Sequence, residues 1–370
     1  MKSNYKRLGD YIHKVDERND QYNTNLQGLS MTKEYRSSTS NIVGTDLSNY
    51  KVMRKNRFVC DFMSVIRVYK LPVVLHKNEE IAIVSPAYTT FEINDITTLL
   101  PEYLMLWFRR PEFDRYSFFK CDSAIRGGFD WEALCDCLLP VPPIEEQEKI
   151  VDAYQKIEDR IALKRKINHN LEQQASELFD AWFISLVQSD GKMPADWHKG
   201  TLGDISAITS GKRPPMKQAV ASVDATIPLV GAASIMGFTN AILYNEPILV
   251  TGRVGTHGVA QRFQSPCWTS DNTLVIKSDF YEYTFQVLQR VDYVNMNRGS
   301  TQPLITQTDL KNVSIVIPTE EVLLEYEKIA GSLMAMYESN RKENECLATL
   351  RDTLLPKLMS GEIDVSEVEI

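Results

Sequence analysis

The sequence predicts an α+β protein built from two similar mixed α/β domains, each followed by a long helix, with the two helices pairing as an antiparallel coiled coil. Two observations support this fold class: an internal repeat, and a heptad pattern after each copy of it. We predict a first domain over residues 1–143, a central helix over 144–190, a second domain over 191–318 and a C-terminal helix over 319–370.

Short motifs recur in the same order in the two halves of the 370-residue chain. Arg7–Asp10 (RLGD) recurs as Thr201–Asp204 (TLGD), and Leu139–Pro142 (LPVP) recurs as Ile315–Pro318 (IVIP). An acidic segment typical of a helix start follows each proline-bounded run. Because the period is far longer than that of a solenoid repeat, the pattern indicates two copies of a globular domain plus a helix.

Within each copy, short runs of β-branched and aromatic residues predict strands, broken often by Gly, Pro and Asn. The predicted strands are Phe58–Cys60, Ile66–Tyr69, Ile81–Val84, Ile227–Val230, Ile248–Val250 and Thr273–Ile276. Short helices are expected at Glu102–Phe108 and Tyr283–Arg290. The glycine-rich run Gly252–Gly258 precedes another strand-like segment, so a hairpin turn is expected there and not a dinucleotide-binding loop.

The predicted long helices carry heptads over five repeats. In the first helix, position a is occupied by Gln147, Tyr154, Ile161, Asn168, Ala175 and Trp182, and position d by Ile150, Ile157, Lys164, Leu171 and Leu178. In the second, position a is occupied by Tyr326, Leu333, Asn340, Leu347 and Leu354, and position d by Ile329, Met336, Glu343, Leu350 and Lys357. The polar middle residues Lys164, Asn168, Asn340 and Glu343 are the expected determinants of register, and Lys164 should approach Glu343.

The charge distribution shows how strongly the domains could bind a polyanion such as DNA, and it indicates weak binding by the domains alone. The formal net charge is −8, but residues 146–190 and 319–370 carry the acidic excess, while 1–145 is neutral and 191–318 slightly basic. A neutral domain that binds DNA would need a partner protein to supply part of the affinity for DNA. No apolar h-region follows Met1–Arg7 and no apolar run is long enough for a membrane span, so we expect a cytoplasmic protein with no membrane partner.

Motifs of nucleotide and metal chemistry are missing from the sequence. It contains no Gly-Lys-Ser/Thr phosphate loop, and Asp309-Leu310-Lys311 lacks the upstream partner that a metal-dependent nuclease requires. Cys135 and Cys137 have neither zinc-ligand nor redox spacing, and the five histidines show no ligand spacing. We therefore expect no catalytic residue, no metal site and no cofactor in this chain.

Base edges are recognised by Arg, Lys, Asn and Gln, and phosphates by basic or hydroxyl groups, so clusters of these residues in glycine-flanked loops are the DNA-binding candidates. In the first copy they are Lys51, Arg54, Lys55, Arg57, Arg109, Arg110 and Arg126. In the second copy they are Lys212, Arg213, Arg253, Arg298 and Gln302. Taken singly, each is also explained as a solvated surface charge.

Together these motifs resemble the specificity subunits of Type I restriction-modification enzymes over nearly the whole chain. The segment Leu139–Ile150 (LPVPPIEEQEKI) resembles the family's entry into its central helix, and Leu354–Ile363 (LLPKLMSGEI) resembles its C-terminus. Ser85–Tyr88 and Leu249–Gly255 resemble two strand-turn signatures of its recognition domains. One departure is Thr319–Leu324, where the second copy lacks the Pro-x-x-Glu-Gln form.

The resemblance implies two target-recognition domains that each read one half of a split sequence in double-stranded DNA. It also implies two methyltransferase subunits docked on the helices, which bring S-adenosylmethionine, and a restriction and translocase subunit that uses ATP and Mg. The chain itself would be a non-catalytic specificity subunit. Two alternatives stay open at this point: a coiled-coil scaffold whose domains bind protein, and a stand-alone DNA-binding regulator that binds its site tightly without partners.

Overall fold

A computed structural model describes residues 5–20, 23–37, 44–122, 128–185, 193–254, 258–296 and 304–363. The chain forms two compact units. Unit 1 comprises Met1–Leu163 and Glu343–Ile370, and unit 2 comprises Lys164–Lys342. Each unit therefore contains one domain together with part of both long helices.

The ten strands in the described part of unit 1 form one main antiparallel sheet and three small pairs. They are β1 Tyr5–Arg7, β2 Ile12–Val15, β3 Gln27–Leu29, β4 Tyr35–Ser37, β5 Lys51–Met53, β6 Phe58–Cys60, β7 Val73–Leu75, β8 Ala82–Val84, β9 Thr89–Ile93 and β10 Leu138–Pro140. The main sheet has the order β2-β9-β6-β7, and the pairs are β1-β10, β3-β4 and β5-β8. Apolar strand residues such as Phe58 and Phe91, whose rings stack 4.9 Å apart, are fully buried in the core.

The helices of both units follow in chain order. They are α1 Val65–Val68, α2 Pro101–Arg109, α3 Pro111–Asp122, α4 Trp131–Cys135, α5 Ile144–Phe179, α6 Leu202–Ile205, α7 Tyr281–Arg290, α8 Tyr293–Met296, α9 Gln307–Lys311 and α10 Glu320–Ser360. A π-helical segment, Asp180–Ser185, continues α5. In unit 1, α2 packs on the main sheet and buries six consecutive residues from Tyr103 to Phe108.

Unit 2 has the same main sheet topology as unit 1. Its strands are β11 His198–Thr201, β12 Ala207–Ser210, β13 Ile227–Val230, β14 Ile235–Thr239, β15 Ile248–Gly252, β16 Gln261–Phe263, β17 Trp268–Thr269, β18 Thr273–Lys277 and β19 Ser314–Ile317. The antiparallel order β12-β18-β15-β16 matches β2-β9-β6-β7 strand for strand, and β11-β19 matches β1-β10. A second sheet, β14-β13-β17, is added in unit 2.

A tyrosine in the same structural position supports this correspondence. In unit 1 the Tyr103 hydroxyl on α2 donates a hydrogen bond to the Pro140 carbonyl at 3.1 Å. In unit 2 the Tyr283 hydroxyl on α7 donates to the Val316 carbonyl. Both bonds join the short helix to the strand that precedes the long helix. The prediction of two similar mixed domains is confirmed.

Within unit 1, the first part of α5 pairs antiparallel with the last part of α10. Arg160 donates to Glu343, with Nη2 to Oε1 at 2.7 Å, and Arg351 donates from Nη1 to Glu158 Oε1 at 2.8 Å. Ile150 and Leu355 belong to the same buried core. Because the residue numbers rise on one helix as they fall on the other, the two segments run in opposite directions.

Within unit 2, the later part of α5 pairs with the first part of α10 around buried amides. Asn340 Nδ2 donates to Asn168 Oδ1 at 3.0 Å, and Asn168 Nδ2 donates to the Tyr337 carbonyl at 3.0 Å. Lys164 Nζ donates to Asn340 Oδ1 at 3.0 Å. Phe179 of α5 lies 6.1 Å, ring centroid to centroid, from Tyr326 of α10. The predicted antiparallel coiled coil is confirmed in each unit.

The predicted heptads are right for α5 and wrong for three of the five d positions of α10. On α5, all predicted a and d residues are buried or half-buried. On α10, the predicted d residues Ile329, Met336 and Leu350 are exposed by 39, 56 and 43%. The buried stripe instead continues from Tyr326 to Ala330, because this turn packs into the core of unit 2 and rotates the helix by one position. Ala330 is therefore buried where the heptad analysis, which follows hydrophobicity, predicted Ile329.

One predicted strand is also wrong. Ile66–Tyr69 lies mostly in α1, because the Asp61 carboxylate accepts hydrogen bonds from the Met63 and Ser64 backbone N–H groups and starts a helical turn. The turn ends at Tyr69, whose φ of 60° is left-handed. The other five predicted strands and both short helices are present. Strands β15 and β16 form the predicted hairpin, although residues 255–257 lie outside the described part of the chain.

No helix among the described residues is both long enough and apolar enough to cross a lipid bilayer. Among the same residues, no group of three or more His, Cys, Asp or Glu side chains is arranged to hold a metal ion.

Each long helix also caps a short helix of its own unit. In unit 1, Gln147 of α5 accepts the Leu100 N–H at 2.9 Å and donates to the Thr98 and Pro142 carbonyls. In unit 2, Glu327 of α10 accepts the Glu282 and Tyr283 N–H groups at 3.0 and 2.8 Å. Both side chains satisfy backbone donors at the start of α2 or α7 that have no partner within the helix. The junction between helix and domain is thus hydrogen-bonded in both copies.

The Glu327 cap makes the stability of unit 2 depend on pH. Burial raises the pKa of Glu327 to about 7 from an ordinary value of 4.5. Because the folded pKa lies above the unfolded one, the contribution to stability is complete below about pH 4.5 and is lost as the pH rises through about 7. The wild type should lose on the order of 2 kcal/mol of its free energy of unfolding between pH 5 and pH 8. Glu327→Gln should abolish this pH-dependent loss.

Denaturant unfolding at pH 5, 6, 7 and 8 measures this effect. The matched variant is Gln147→Glu, which would place a carboxylate against the Thr98 and Pro142 carbonyls and should add a loss of stability at high pH. Parallel pH profiles for the wild type and Glu327→Gln would show that this carboxylate does not titrate in the folded protein.

Candidate nucleic-acid interface

In unit 2, four strand termini meet at one end of the main sheet. Gly252 at the end of β15 pairs with Thr273 at the start of β18, and Ser210 at the end of β12 pairs with Leu274. Gln261 at the start of β16 pairs with Val250. We call this the loop end of the sheet, and in unit 1 the corresponding loop end lies where β2 and β6 finish and β7 and β9 begin. Loops that are distant in sequence are brought together there.

The loop after β12 is held rigidly at its base. The Lys212 N–H donates to the Thr269 carbonyl at 2.9 Å, and the Trp268 indole N–H donates to the Lys212 carbonyl at 2.7 Å. At Gly211 a Cβ atom would lie 2.1 Å from the Ser270 carbonyl oxygen, so only glycine fits. Farther along, Gln218 exchanges two backbone hydrogen bonds with Phe238. This backbone is fixed before any ligand arrives.

Three basic side chains project from this loop. Lys212, Arg213 and Lys217 are exposed, and none has an ion-pair partner among the described residues. Lys212 and Arg213 were predicted from the sequence, whereas Lys217 was not, because a single lysine among Pro, Met and Gln gives no cluster signal. A rigid loop with unpaired cations is suited to an anionic ligand.

Arg253 and the segment after residue 303 meet at the same loop end. The Arg253 N–H donates to the Asn272 carbonyl at 2.8 Å, and its carbonyl accepts the Ile305 N–H at 3.0 Å. Val254 forms a bridge with Leu304, and Gln307 donates to the Ser210 hydroxyl at 2.8 Å. The predicted residues Arg298 and Gln302 lie outside the described residues, but the chain that follows them is anchored at this end.

Three polar groups at the loop end are buried without a hydrogen-bond partner in the described part of unit 2: Arg253 Nε, Thr269 Oγ1 and Ser270 Oγ. Buried polar atoms are usually paired, so these groups are suited to hydrogen bonds with a ligand or with water. They lie next to the positively charged loop described above.

The predicted cluster in unit 1 is neutralised by carboxylates. Arg54 pairs with Glu17 at 2.5 Å, Lys55 with Glu79 at 2.6 Å and Lys51 with Asp16 at 3.4 Å. Hydrogen bonds from Arg54, and less strongly from Arg57, hold the pKa of Glu17 below its ordinary value. DNA contacts by Lys51, Arg54 and Lys55 stay predictions, and each side chain would have to leave its carboxylate partner to bind a phosphate or a base.

Arg57 has a structural role in unit 1. Its side chain is only 6% exposed, and it donates to Glu17, Glu92 and the Val52 carbonyl at 2.9, 2.7 and 2.6 Å. The guanidinium joins β5, β6 and β9 from within the domain. We do not include Arg57 in the proposed DNA interface, since a buried arginine with three partners has no face left for DNA.

Arg109 and Arg110 lie at the end of α2. Arg109 donates to the Tyr154 hydroxyl at 3.3 Å and lies 3.9 Å from Glu34. Arg110 stacks over the Trp107 ring at 5.2 Å, and burial lowers its pKa. Arg126 lies outside the described residues, but the Asp130 carboxylate just after it caps α4 by accepting the Ala133 N–H at 2.8 Å.

The sequence analysis missed the residues that occupy the loop end of unit 1. The connection between β6 and β7 presents Arg67 and Lys70 together with exposed apolar side chains. The mistaken strand prediction concealed it. The signal was Asp61 followed by Ser64, a pattern that favours a capped helical turn over a strand.

The four predicted register residues all make hydrogen bonds within their own unit. Asn168, Asn340 and Lys164 interact in unit 2, and Glu343 accepts from Arg160 in unit 1. Lys164 and Glu343 belong to different units, so their direct pairing stays a prediction, as does the control of register by all four.

Comparison with known proteins supports this architecture. Residues 194–348 match the model of a family described as the Type I restriction modification DNA specificity domain. Over 266 residues, the chain is 27% identical to the MjaIX Type I restriction enzyme specificity subunit of Methanocaldococcus jannaschii, covering 62% of this chain and 61% of that one. The chain is thus similar to Type I restriction specificity subunits, and its second half matches their DNA specificity domain.

A second specificity subunit and a solved structure are also similar to this chain. The HindI specificity subunit of Haemophilus influenzae is 22% identical over 376 residues, covering 76% of this chain and 81% of that one. The S subunit structure from M. genitalium has a TM-score of 0.57 and 14% identity over 96% of this chain and 95% of that one, which shows a shared fold. The alignment spans about three fifths of the MjaIX subunit. The relatives are named as specificity subunits, in agreement with the prediction of a non-catalytic chain.

The two neighbouring arginines of unit 1 should respond differently to substitution. Arg57→Ala leaves the partly buried Glu92 carboxylate without its cation and Glu17 with Arg54 alone, so we expect a loss of roughly 3–5 kcal/mol in the free energy of unfolding. Arg54→Ala removes a half-exposed partner of the same Glu17 and should cost about 1 kcal/mol or less. Urea unfolding of both variants compares them, and equal losses would contradict a structural role specific to Arg57.

Proposed function

We propose that this chain recognises a bipartite sequence in double-stranded DNA, with each unit reading one half-site. The observation that carries the proposal is the convergence of Lys212, Arg213, Lys217 and Arg253 on rigid loops at one end of a sheet. Loops on a rigid scaffold can hold base-reading side chains in fixed positions. The different residues at the loop ends of the two units imply two different half-sites.

We also propose that catalysis belongs to partner subunits. Two methyltransferase subunits would bring S-adenosylmethionine, and a restriction and translocase subunit would use ATP and Mg, in the cytoplasm. Ile329 and Met336 on the unit 2 part of α10, and Leu350 on its unit 1 part, are exposed apolar residues suited to docking such subunits. The domains are close to neutral, so partners that enclose DNA would supply part of the affinity.

Selection from random DNA tests the proposed function. The full chain, tagged and purified with the methyltransferase subunits that accompany it, is used to enrich duplexes from a random-sequence library. We expect enriched sequences with two conserved blocks separated by a spacer of constant length. No enrichment would overturn the proposal, and tight, specific binding by the chain alone would favour a stand-alone regulator.

Single substitutions at the loop end of unit 2 should weaken binding to the selected site. If Arg253 or Arg213 contacts a base edge, its replacement by Ala should cost about 1–3 kcal/mol and blur one position of one half-site. If Lys212 or Lys217 contacts phosphate, replacement by Ala should lower the salt slope by about 1 without changing the sequence preference.

The control for these variants is Lys311→Ala, an exposed cation beside Gly203 at the other end of β12. It should leave both the affinity and the salt slope unchanged. The same behaviour in all four loop-end variants would show that another surface of unit 2 binds DNA.

The helices should set the length of the unread spacer. Four residues inserted in α5 after Leu163 and four in α10 before Glu343 would leave the internal contacts of each unit unchanged, since the units divide at these positions. The insertion adds about 6 Å and about 40° of rotation. Because 6 Å is close to two base-pair steps at about 3.4 Å each, we expect the spacer to lengthen by one or two base pairs. Both half-sites should stay the same.

Mapping the selected or methylated sequences of this variant checks the prediction. A control insertion of the same four residues in α5 alone should disturb the pairing of Asn168 with Asn340 and lower stability. An unchanged spacer in the paired variant would mean that the recognition domains find their spacing independently of the helices.

A further inference from the structure

The connection between β6 and β7 in unit 1, residues 61–72, is a closed and rigid loop. At its base the Asp61 N–H donates to the Pro72 carbonyl at 3.0 Å. The Asp61 carboxylate caps the first turn, and the Tyr69 N–H closes the last turn by donating to the Val65 carbonyl at 2.9 Å. Since these bonds fix the backbone, little conformational entropy would be lost when the loop binds a ligand.

This rigid loop displays apolar side chains to solvent. Met63, Ile66 and Tyr69, spaced three residues apart, are 67, 61 and 64% exposed, while Val65 between them is buried in the core. Tyr69 also packs edge-on against Phe118 of α3, with ring centroids 4.7 Å apart. Scattered exposed apolar residues are normal, but three on one short capped turn form a patch whose side chains are each more than half exposed.

The charge of the loop favours a polyanion. Between Phe62 and Leu71 the sequence contains Arg67 and Lys70 and no acidic residue. Arg67 is exposed, and its guanidinium donates to the Ser64 hydroxyl at 3.0 Å, so it has no carboxylate partner among the described residues of unit 1. The apolar patch is thus flanked by cations.

The position of the loop corresponds to that of the proposed DNA-binding loops in unit 2. It leaves the sheet after β6 as the hairpin carrying Arg253 leaves after β15, at the loop end of each sheet. Phe62 also lies 6.0 Å, ring centroid to centroid, from Phe129, which directly follows the glycine pair after Arg126. Arg126 itself lies outside the described residues.

Apolar side chains recognise few features of a base pair. In the major groove of DNA, the one apolar group at the base edge is the C5-methyl group of thymine, whereas the remaining edge atoms are hydrogen-bond donors and acceptors. We propose that Met63 and Ile66 contact thymine methyl groups in the half-site read by unit 1, with Arg67 and Lys70 on the flanking phosphates. This inference rests on the proposed function and names the chemistry by which one half-site is read.

The test uses the full chain with its accompanying methyltransferase subunits and the duplex that it selects. Each thymine of the site is replaced in turn by deoxyuridine, which lacks only the methyl group. For the wild type we expect at least one replacement to weaken binding roughly fourfold per methyl group that leaves the interface. In Met63→Ser or Ile66→Ser, that sensitivity should fall, while binding to the all-thymine site weakens to a similar degree.

The matched control is Ile96→Ser. Ile96 is exposed by 50% in the same unit but follows β9 at the opposite end of the sheet, so its replacement should preserve the deoxyuridine sensitivity. Thermal melting confirms that the exposed substitutions leave the fold intact.

Three outcomes overturn the inference while the proposed function stands: no thymine is sensitive, the sensitivity is unchanged in both loop variants, or the loop variants lose their methyltransferase subunits and not their base preference. The last would identify the patch as a protein-docking surface. A wild-type complex that selects no sequence would instead overturn the proposed function itself, and this inference with it.

Discussion

A buried amide pair, Asn168 with Asn340, joins the two long helices within unit 2. Each amide is buried, and each finds its partner only when α5 and α10 are in the observed register. A slip of one heptad would leave both amides buried without that partner, which costs about 1–3 kcal/mol for each unsatisfied group. Because both helices contribute residues to the cores of both units, a change of register would disturb Tyr154 in unit 1 and Phe179 in unit 2 alike.

The sequence predicted the fold well where burial and hydrophobicity coincide. The seam of α5 is filled by residues such as Ile157, Ile161 and Leu171, which any heptad analysis selects. On α10 the two properties separate: Ala330 is buried, whereas Ile329 beside it is partly exposed. Hydrophobic periodicity shows which residues could be buried, but the core of unit 2 decides which face turns inward. An apolar residue on the outer face, such as Ile329, is then exposed on the surface of the helix.

The candidate site could be predicted only in part, because a basic residue gives no sign of its partner. Lys212 and Arg57 are equivalent in a sequence analysis that counts cations in loops. In the structure, Lys212 projects from an anchored loop, whereas Arg57 is buried against Glu17 and Glu92. Those carboxylates are 40 and 35 residues away, so only the strand pairing brings them to Arg57. Loop position relative to the sheet was the missing information.

The closure of residues 61–72 at their base has a consequence for how such a domain can change. The strands β6 and β7 on either side are joined by their own ladder, and the Asp61–Pro72 hydrogen bond continues it by one further step. The ten residues between them, from Phe62 to Leu71, can therefore be substituted while the hydrogen bonds between β6 and β7 are kept. Among these residues Ser64, Val65 and Leu71 are buried, Phe62 packs against the core and Tyr69 contacts Phe118. A protein that must acquire a new binding preference while its sheet stays the same would vary such loops before it varied a strand.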